Sequence, residues 1–173
     1  MIKTKTLSVL LVAFVCAAFL RIFVVEGFIV RGDSMEPTIQ SGDYIFINKL
    51  EYAWKEPKRG DIIVAKPREK EFKVIKRILG LPGERFAIED GEIIIREERL
   101  DVGVILEEVY LEDSFTSSQG ITLIKLDPQE YFALGDNRKV STDSRELGPI
   151  DKWQIKGKVF GVFSLKHFKY KGL

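Results

Sequence analysis

Ser34 stands in the stretch RGDSMEPTIQ, whose residue types predict a tightly turned backbone. Gly32 and Asp33 before it favour a tight turn, and Pro37 after it opposes continuation of a helix. A hydroxyl presented on such a constrained corner suits a nucleophile, provided that a base lies within hydrogen-bond reach. The first question is therefore which side chain supplies that base.

Lys76 is the candidate base. It lies in the strand-like run EFKVIKRILG, where alternation places it on one face with Phe72, Val74 and Ile78. Apolar surroundings disfavour the charged ammonium and lower a lysine pKa, so that a neutral amine becomes available near pH 7. The simpler interpretation is an edge-strand lysine whose stem covers the core and whose ammonium reaches water. In the functional interpretation, Lys76 and Ser34 form a Ser/Lys nucleophilic pair.

A third polar cluster occurs in ALGDNRKVSTDSRELG. A turn at Gly135 follows a short strand, and Ser141, Asp143 and Arg145 come close together in the sequence. Their hydrogen-bonding groups complement one another, although a solvated loop with an ion pair between Asp143 and Arg145 has the same pattern.

Composition narrows the class of protein. The chain has 173 residues, of which 45% are hydrophobic and 31% charged, which is enough for one core of ordinary size. The formal net charge of +1 excludes a broad basic face, so nucleic acid is not an expected partner. The chain has one cysteine and one histidine and hence no His/Cys cluster, and we expect neither a metal nor a cofactor.

The elements that position these residues are predicted to be short strands. β-branched and aromatic runs alternate with turn signals, which indicates a mainly β domain, a folded antiparallel sheet or partly closed barrel. The stretch from about residue 100 to 120 is polar and acidic and is expected to be a reduced surface excursion. The predicted strands are 28–30, 43–50, 61–66, 71–80, 92–97, 121–126, 130–135 and 158–165.

The N-terminus has a different character. Lys3 and Lys5 precede an uncharged apolar run from Leu7 that continues to Val25 with one interruption at Arg21. The uninterrupted part suits the core of a cleavable signal peptide, whereas the whole run, roughly 28 Å long as a helix at about 1.5 Å per residue, suits a transmembrane anchor. In either case the positive N-terminus is expected to stay cytoplasmic and the remainder to face outward.

Taken together, these stretches resemble bacterial type I signal peptidases, the leader peptidases of the Ser/Lys class. GDSMEPTIQSGD is similar to the serine box of the family, RGDIIVAKP to the strand after it, VIKRILGLPGE to the lysine box and GDNRKVSTDSR to the last box. The boxes occur in the family order between Phe28 and Leu165, with an apolar segment ahead of them.

The resemblance implies roles for individual residues. Ser34 would be the nucleophile, Lys76 the general base and Ser141 a hydrogen-bond partner that orients the lysine. Met35 would shape the site beside the serine, while Asp143 and Arg145 would hold the last box in place. Some members have a serine two positions before the nucleophile as an oxyanion donor; here that position is Gly32, which leaves the donation to main-chain N–H groups or water.

The resemblance also implies function and location. Residues 1–26 would be a short cytoplasmic N-terminus and a single membrane anchor, and residues 27–173 an extracytoplasmic peptidase domain at the plasma or inner membrane. The expected activity is removal of signal peptides from exported preproteins with small residues at positions −3 and −1, next to the bilayer and near the export translocon.

Two alternatives stay open at the level of sequence. One is another Ser/Lys maturation peptidase, of conjugation or pilus type. The other is a membrane-anchored β-module without enzymatic activity, in which Ser34 and Lys76 are incidental.

Overall fold

The computed structural model describes residues 2–19, 24–68, 70–96, 103–111, 115–118 and 123–173. Twelve strands and three α-helices are assigned in these ranges. In chain order they are α1 Ile2–Phe19, β1 Val25–Ile29, β2 Tyr44–Asn48, α2 Glu51–Trp54, β3 Ile62–Ala65, β4 Val74–Gly80, β5 Arg85–Glu89, β6 Glu92–Arg96, β7 Gly103–Ile105, β8 Leu123–Lys125, β9 Glu130–Leu134, α3 Ser144–Leu147, β10 Ile150–Asp151, β11 Ile155–Ser164 and β12 Lys169–Gly172.

The strands form two sheets. The larger one has the order β1-β2-β11-β3-β4-β9-β10, with β12 also paired to β11, and the smaller one has the order β7-β6-β5-β8. Every strand pairing among the described residues is antiparallel, which confirms the mainly β, antiparallel prediction.

The long strand β11 curls the larger sheet. Its register shifts twice, between Ile155 and Gly157 against β3 and between Val159 and Gly161 against β2. Bulges of this kind bend a strand and increase its twist. The curled sheet encloses a core cluster of buried aliphatic side chains, and β4 lies well inside the sheet between β3 and β9.

The turn chemistry of the sequence recurs in the structure. Asp90 and Gly91 connect β5 and β6 with φ angles of 50° and 86°, as a two-residue hairpin with both central residues left-handed requires. Strand β5, which precedes this turn, was not among the strands predicted from the sequence. Strands β7, β10 and β12 were also not predicted.

The N-terminal prediction needs one correction. Val25 and Glu26, which the sequence analysis assigned to the anchor, instead begin strand β1 and pair with Asn48 and Ile47. Helix α1 ends at Phe19, and the predicted span includes residues 20–23, which lie outside the described residues. Within the described ranges, no helix is both long and apolar enough to cross a membrane.

The segment between β7 and β8 is only partly a surface excursion. Strand β7 is exposed throughout, as expected for this stretch. However, Glu108 and Thr116 are buried, at 7% and 0% exposure, because they pack against the loop after β9.

Candidate active site

Ser34 lies on a turn that is held in place by neighbouring residues buried in the core. Gly32, two residues earlier, has a φ of +97°, a conformation that glycine adopts without strain. Met35 and Ile39 point into the core with 1% and 0% exposure, and the N–H of Ile39 donates to the carbonyl oxygen of Met35. The peptide bond between Glu36 and Pro37 is cis. Because its neighbours are held in the core, the partly exposed Ser34 has a defined position.

Lys76 lies in the middle of β4, opposite Ile63 of β3. It is 3% exposed, in agreement with the predicted inward direction of its side chain. Its Nζ lies 2.9 Å from Oγ of Ser34, within hydrogen-bond distance. The structure therefore brings together the two residues that the sequence analysis proposed as base and nucleophile.

Burial lowers the pKa of Lys76 from its ordinary value of 10.5 to about 8. The carboxylate of Asp143 opposes this effect and the guanidinium of Arg145 adds to it, while Asp136 again favours the ammonium. Desolvation is the largest of these influences, so a neutral amine is accessible close to physiological pH.

Asp143 and Arg145 form a fully buried ion pair. Nε of Arg145 lies 2.9 Å from Oδ1 of Asp143, and both side chains have 0% exposure. The other carboxylate oxygen accepts the N–H of Gly135, and Arg145 also donates to the carbonyl oxygen of Arg138. The last box is thus a buried, hydrogen-bonded loop, and the solvated-loop interpretation is wrong.

Ser141 lies beside the nucleophile with an unused hydroxyl. Its Oγ is buried and forms no hydrogen bond within the part of the chain that the structure describes. The hydrogen bond to Lys76 that the resemblance implied is therefore not formed in this structure. A Cβ on Gly135 would lie 2.2 Å from this oxygen and 2.4 Å from the carbonyl oxygen of Ser34. The N–H of Asn137 donates to the same carbonyl oxygen at 3.1 Å. The absence of a side chain at Gly135 therefore allows the last box to pack directly on the nucleophile turn.

The residue after Lys76 differs from the sequence expectation. Arg77, on the opposite face of β4, was not among the candidate site residues of the sequence analysis. It is 9% exposed and binds both carboxylate oxygens of Asp136, at 2.9 and 2.6 Å. Its partner Asp136 belongs to the last box. The sequence analysis did not identify this ion pair, because the two residues are 59 positions apart in the chain.

A groove of about 790 Å³ runs past the pair. Ser34, Lys76, Met35 and Ile75 all line it, as do Phe28 and Val30 from the segment around β1. Residues of strands β1 and β4 line it together with the turn at Ser34, an arrangement that suits an extended peptide.

Comparisons with known proteins identify the family to which the chain belongs. The family described as "Signal peptidase, peptidase S26" matches residues 3–164. Signal peptidase I of Bacillus caldolyticus is 35% identical, covering 92% of this chain and 91% of the relative. Signal peptidase IB of Staphylococcus aureus is 31% identical, covering 92% of this chain and 88% of the relative.

A solved structure supports the fold. The crystal structure of a signal peptidase I from Enterococcus faecalis V583 has a TM-score of 0.50 and 29% identity. It covers 60% of this chain and 97% of the other. The resemblance found in the sequence is thereby confirmed, and the chain belongs to the signal peptidase family, peptidase S26, whose members remove signal peptides from exported proteins.

Proposed function

We propose that the chain cleaves preproteins with Ser34 as nucleophile and Lys76 as general base. The observation that carries the proposal is the 2.9 Å distance between Nζ of Lys76 and Oγ of Ser34. The neutral amine accepts the hydroxyl proton as Oγ attacks the scissile carbonyl carbon, and the ammonium then protonates the leaving amine. Lys76 next activates a water molecule, which hydrolyses the acyl-enzyme and releases the carboxylate of the signal peptide.

The oxyanion is stabilised by main-chain donors in this proposal. The N–H of Ser34 has no acceptor within the described residues. Gly32 offers no hydroxyl, and its φ of +97° disfavours a residue with a side chain. In this proposal a second hydrogen bond to the oxyanion is donated by water or by another main-chain N–H that the turn presents when substrate is bound.

The supporting residues act on the base and on the turn. Ser141 lies against the nucleophile turn with a free hydroxyl, which suits it to hydrogen-bond the lysine amine once that amine turns during the reaction. Asp143 and Arg145 hold the loop that carries it. Met35, beside Ser34, forms part of the groove wall and of the core.

The substrates in this proposal are exported preproteins with small residues at −3 and −1. Met35 and Ile75 are buried and line the groove, and in this proposal they limit the space beside Ser34 so that only small side chains fit there. The peptide lies extended along the groove and pairs with strand backbone.

Location follows from the N-terminal segment. We propose that α1, with the residues after it, anchors the chain in the plasma or inner membrane, with Lys3 and Lys5 cytoplasmic and the sheets outside, near the translocon. The apolar side chains of Leu7, Leu10 and Phe14 are more than 60% exposed and do not pack on the sheets. Protease added to intact spheroplasts should digest the region after Gly27, and protection of that region would contradict this orientation.

A preprotein cleavage assay tests the function. Wild-type protein should release a mature chain whose N-terminus, read by mass spectrometry, follows small residues at −3 and −1, and Ser34→Ala should release none. Ser164→Ala, which changes a hydroxyl in β11 away from the groove, is the matched control and should keep full activity. Cleavage by Ser34→Ala would exclude this mechanism, and cleavage only within pilin-like or conjugation substrates would favour the alternative maturation peptidase.

A further inference from the structure

The segment between β7 and β8 reaches both halves of the active site. Its described parts are residues 106–111 and 115–118, and we refer to them as the buttress segment. Several of its residues are exposed, yet three of its polar side chains turn inward. They are Glu108, Tyr110 and Thr116, and they contact arginines on either side of the catalytic pair.

The first contact is between Glu108 and Arg138. Nη1 of Arg138 lies 2.7 Å from Oε2 of Glu108, and Nη2 donates to the other carboxylate oxygen. The two side chains are only 3% and 2% exposed, and the hydroxyl of Thr116 also accepts from Arg138. The position of Arg138 is therefore set by its contacts with the buttress segment.

Arg138 in turn holds the nucleophile turn. Its Nε donates to the carbonyl oxygen of Gly135 at 3.0 Å. Gly135 packs against the carbonyl oxygen of Ser34, and the N–H of Asn137 donates to that same oxygen. A shift of Arg138 would thus be transmitted to Ser34 through two backbone contacts in a loop of four residues.

The second contact is between Tyr110 and Arg77. The guanidinium carbon of Arg77 lies 3.8 Å from the centroid of the Tyr110 ring, close enough for stacking and cation–π attraction. The Tyr110 hydroxyl donates to Glu108, so the two contacts share one carboxylate. Because Arg77 follows Lys76 in β4 and binds Asp136 of the last box, this contact braces the strand of the base.

We propose that Glu108 and Tyr110 are positioning residues, which set the distance between Ser34 and Lys76 from outside the catalytic sheet. Residues that only stabilise the fold would be expected to contact the hydrophobic core. Glu108 and Tyr110 instead contact Arg138 and Arg77, which adjoin the catalytic elements. The inference rests on the Ser34/Lys76 mechanism proposed above. Small displacements of reacting groups are costly, since about 1 Å can lower a rate about 100-fold.

Kinetics on folded enzyme separates positioning from stability. Tyr110→Phe keeps the ring over Arg77 but loses the hydrogen bond to Glu108, Tyr110→Leu loses both, and Glu108→Gln leaves Arg138 without its counter-charge. We expect kcat for preprotein cleavage to fall least in Tyr110→Phe, by about 3-fold, more in Tyr110→Leu, and most in Glu108→Gln, by about 100-fold. KM should change less than about 2-fold in each variant. Each variant is measured well below its own melting temperature, with active enzyme counted by titration of Ser34.

Glu107→Gln is the matched control. Glu107 is exposed and adjacent to Glu108, so the same chemical change at that position should leave kcat and KM at wild-type values. Combining Tyr110→Leu with Glu108→Gln should lower kcat by less than the product of the single effects, because both act through one network.

Wild-type kcat in folded Tyr110→Leu would overturn the inference, even if Glu108→Gln fails to fold. A fall in the total cleavage rate that is fully accounted for by the loss of titratable Ser34, with kcat per active site unchanged, would also overturn it, because the role would then be structural. Neither result touches the proposed function, which fails on a different observation, namely cleavage by Ser34→Ala.

Discussion

Lys76 and Ser34 are 42 positions apart in the chain, and Nζ of the lysine lies 2.9 Å from Oγ of the serine. The contact joins the centre of a buried strand to a turn whose neighbours Met35 and Ile39 are held in the core. The burial that aligns the two groups is also what lowers the lysine pKa to about 8. Geometry and proton affinity therefore have the same structural origin.

Activity should rise with pH along a limb centred near pH 8. Lys76 acts in its neutral form, and burial places its pKa at about 8, so the active fraction grows as the ammonium loses its proton. Single-turnover cleavage of a preprotein from about pH 6 to 10 measures the limb. A flat profile across this range would contradict a lysine base.

Lys76→Arg should be nearly inactive at every pH. Arginine keeps the positive charge but does not release its proton in this range, so it separates a base from a cation. Lys73→Arg is the control, because Lys73 is partly exposed and pairs with Glu26 through a charge that arginine retains. Substantial cleavage by Lys76→Arg would mean that the lysine acts by charge or packing.

Lys76→Met should be inactive but more stable at neutral pH. The folded state lowers the lysine pKa from 10.5 to about 8, so between these values the unfolded state binds more protons and the wild-type free energy of unfolding rises with pH. Below about pH 8 the folded state carries the full free-energy cost of burying the Lys76 ammonium, on the order of 3 kcal/mol.

Methionine has a similar volume and no charge, so its variant lacks this pH dependence. We expect a gain of about 1–3 kcal/mol at pH 7 that shrinks toward pH 10, after allowance for the lost hydrogen bond to Ser34. Urea denaturation at pH 7 and pH 10 measures the difference. A variant less stable than wild type at pH 7 would show that the buried amine carries no such cost.

Gly135→Ala should abolish cleavage. An added Cβ would lie 2.4 Å from the carbonyl oxygen of Ser34 and 2.2 Å from Oγ of Ser141, so the nucleophile turn or the last box must shift. We expect a fall in kcat of at least about 100-fold. Gly172→Ala in β12 serves for comparison, since among the described residues no atom outside its chain neighbours lies within 4 Å of the added Cβ, and activity should be retained.

Ser141→Ala should lower activity without lowering stability, whereas Asp143→Ala should lower stability. The Ser141 hydroxyl forms no hydrogen bond within the described residues, so its removal should leave the melting temperature unchanged while lowering kcat by about 10-fold or more. Asp143→Ala leaves Arg145 buried without its partner, and we expect a loss of stability of about 3–5 kcal/mol. Thermal melts beside activity measure both, and full turnover by Ser141→Ala would remove that residue from the site.

The sequence by itself determined the local features. Turn residues, strand alternation and the order of the boxes indicated the antiparallel β class, the constrained turn at Ser34 and the inward direction of Lys76. These depend on neighbouring residues, because turn conformation and strand period are local properties of the backbone. Asp90 and Gly91 adopt the φ angles that their types favour.

Only the tertiary structure decided which side chains meet. Alternation predicted the face of β4 on which Arg77 lies, but not which residues cover that face. Both faces of β4 are buried, because the last box and the buttress segment pack on the face that carries Arg77. The ion pairs of Arg77 with Asp136 and of Arg138 with Glu108 join positions 59 and 30 residues apart. Such partners depend on strand register and on how far β11 bends the sheet, and these follow from the packing of the whole chain.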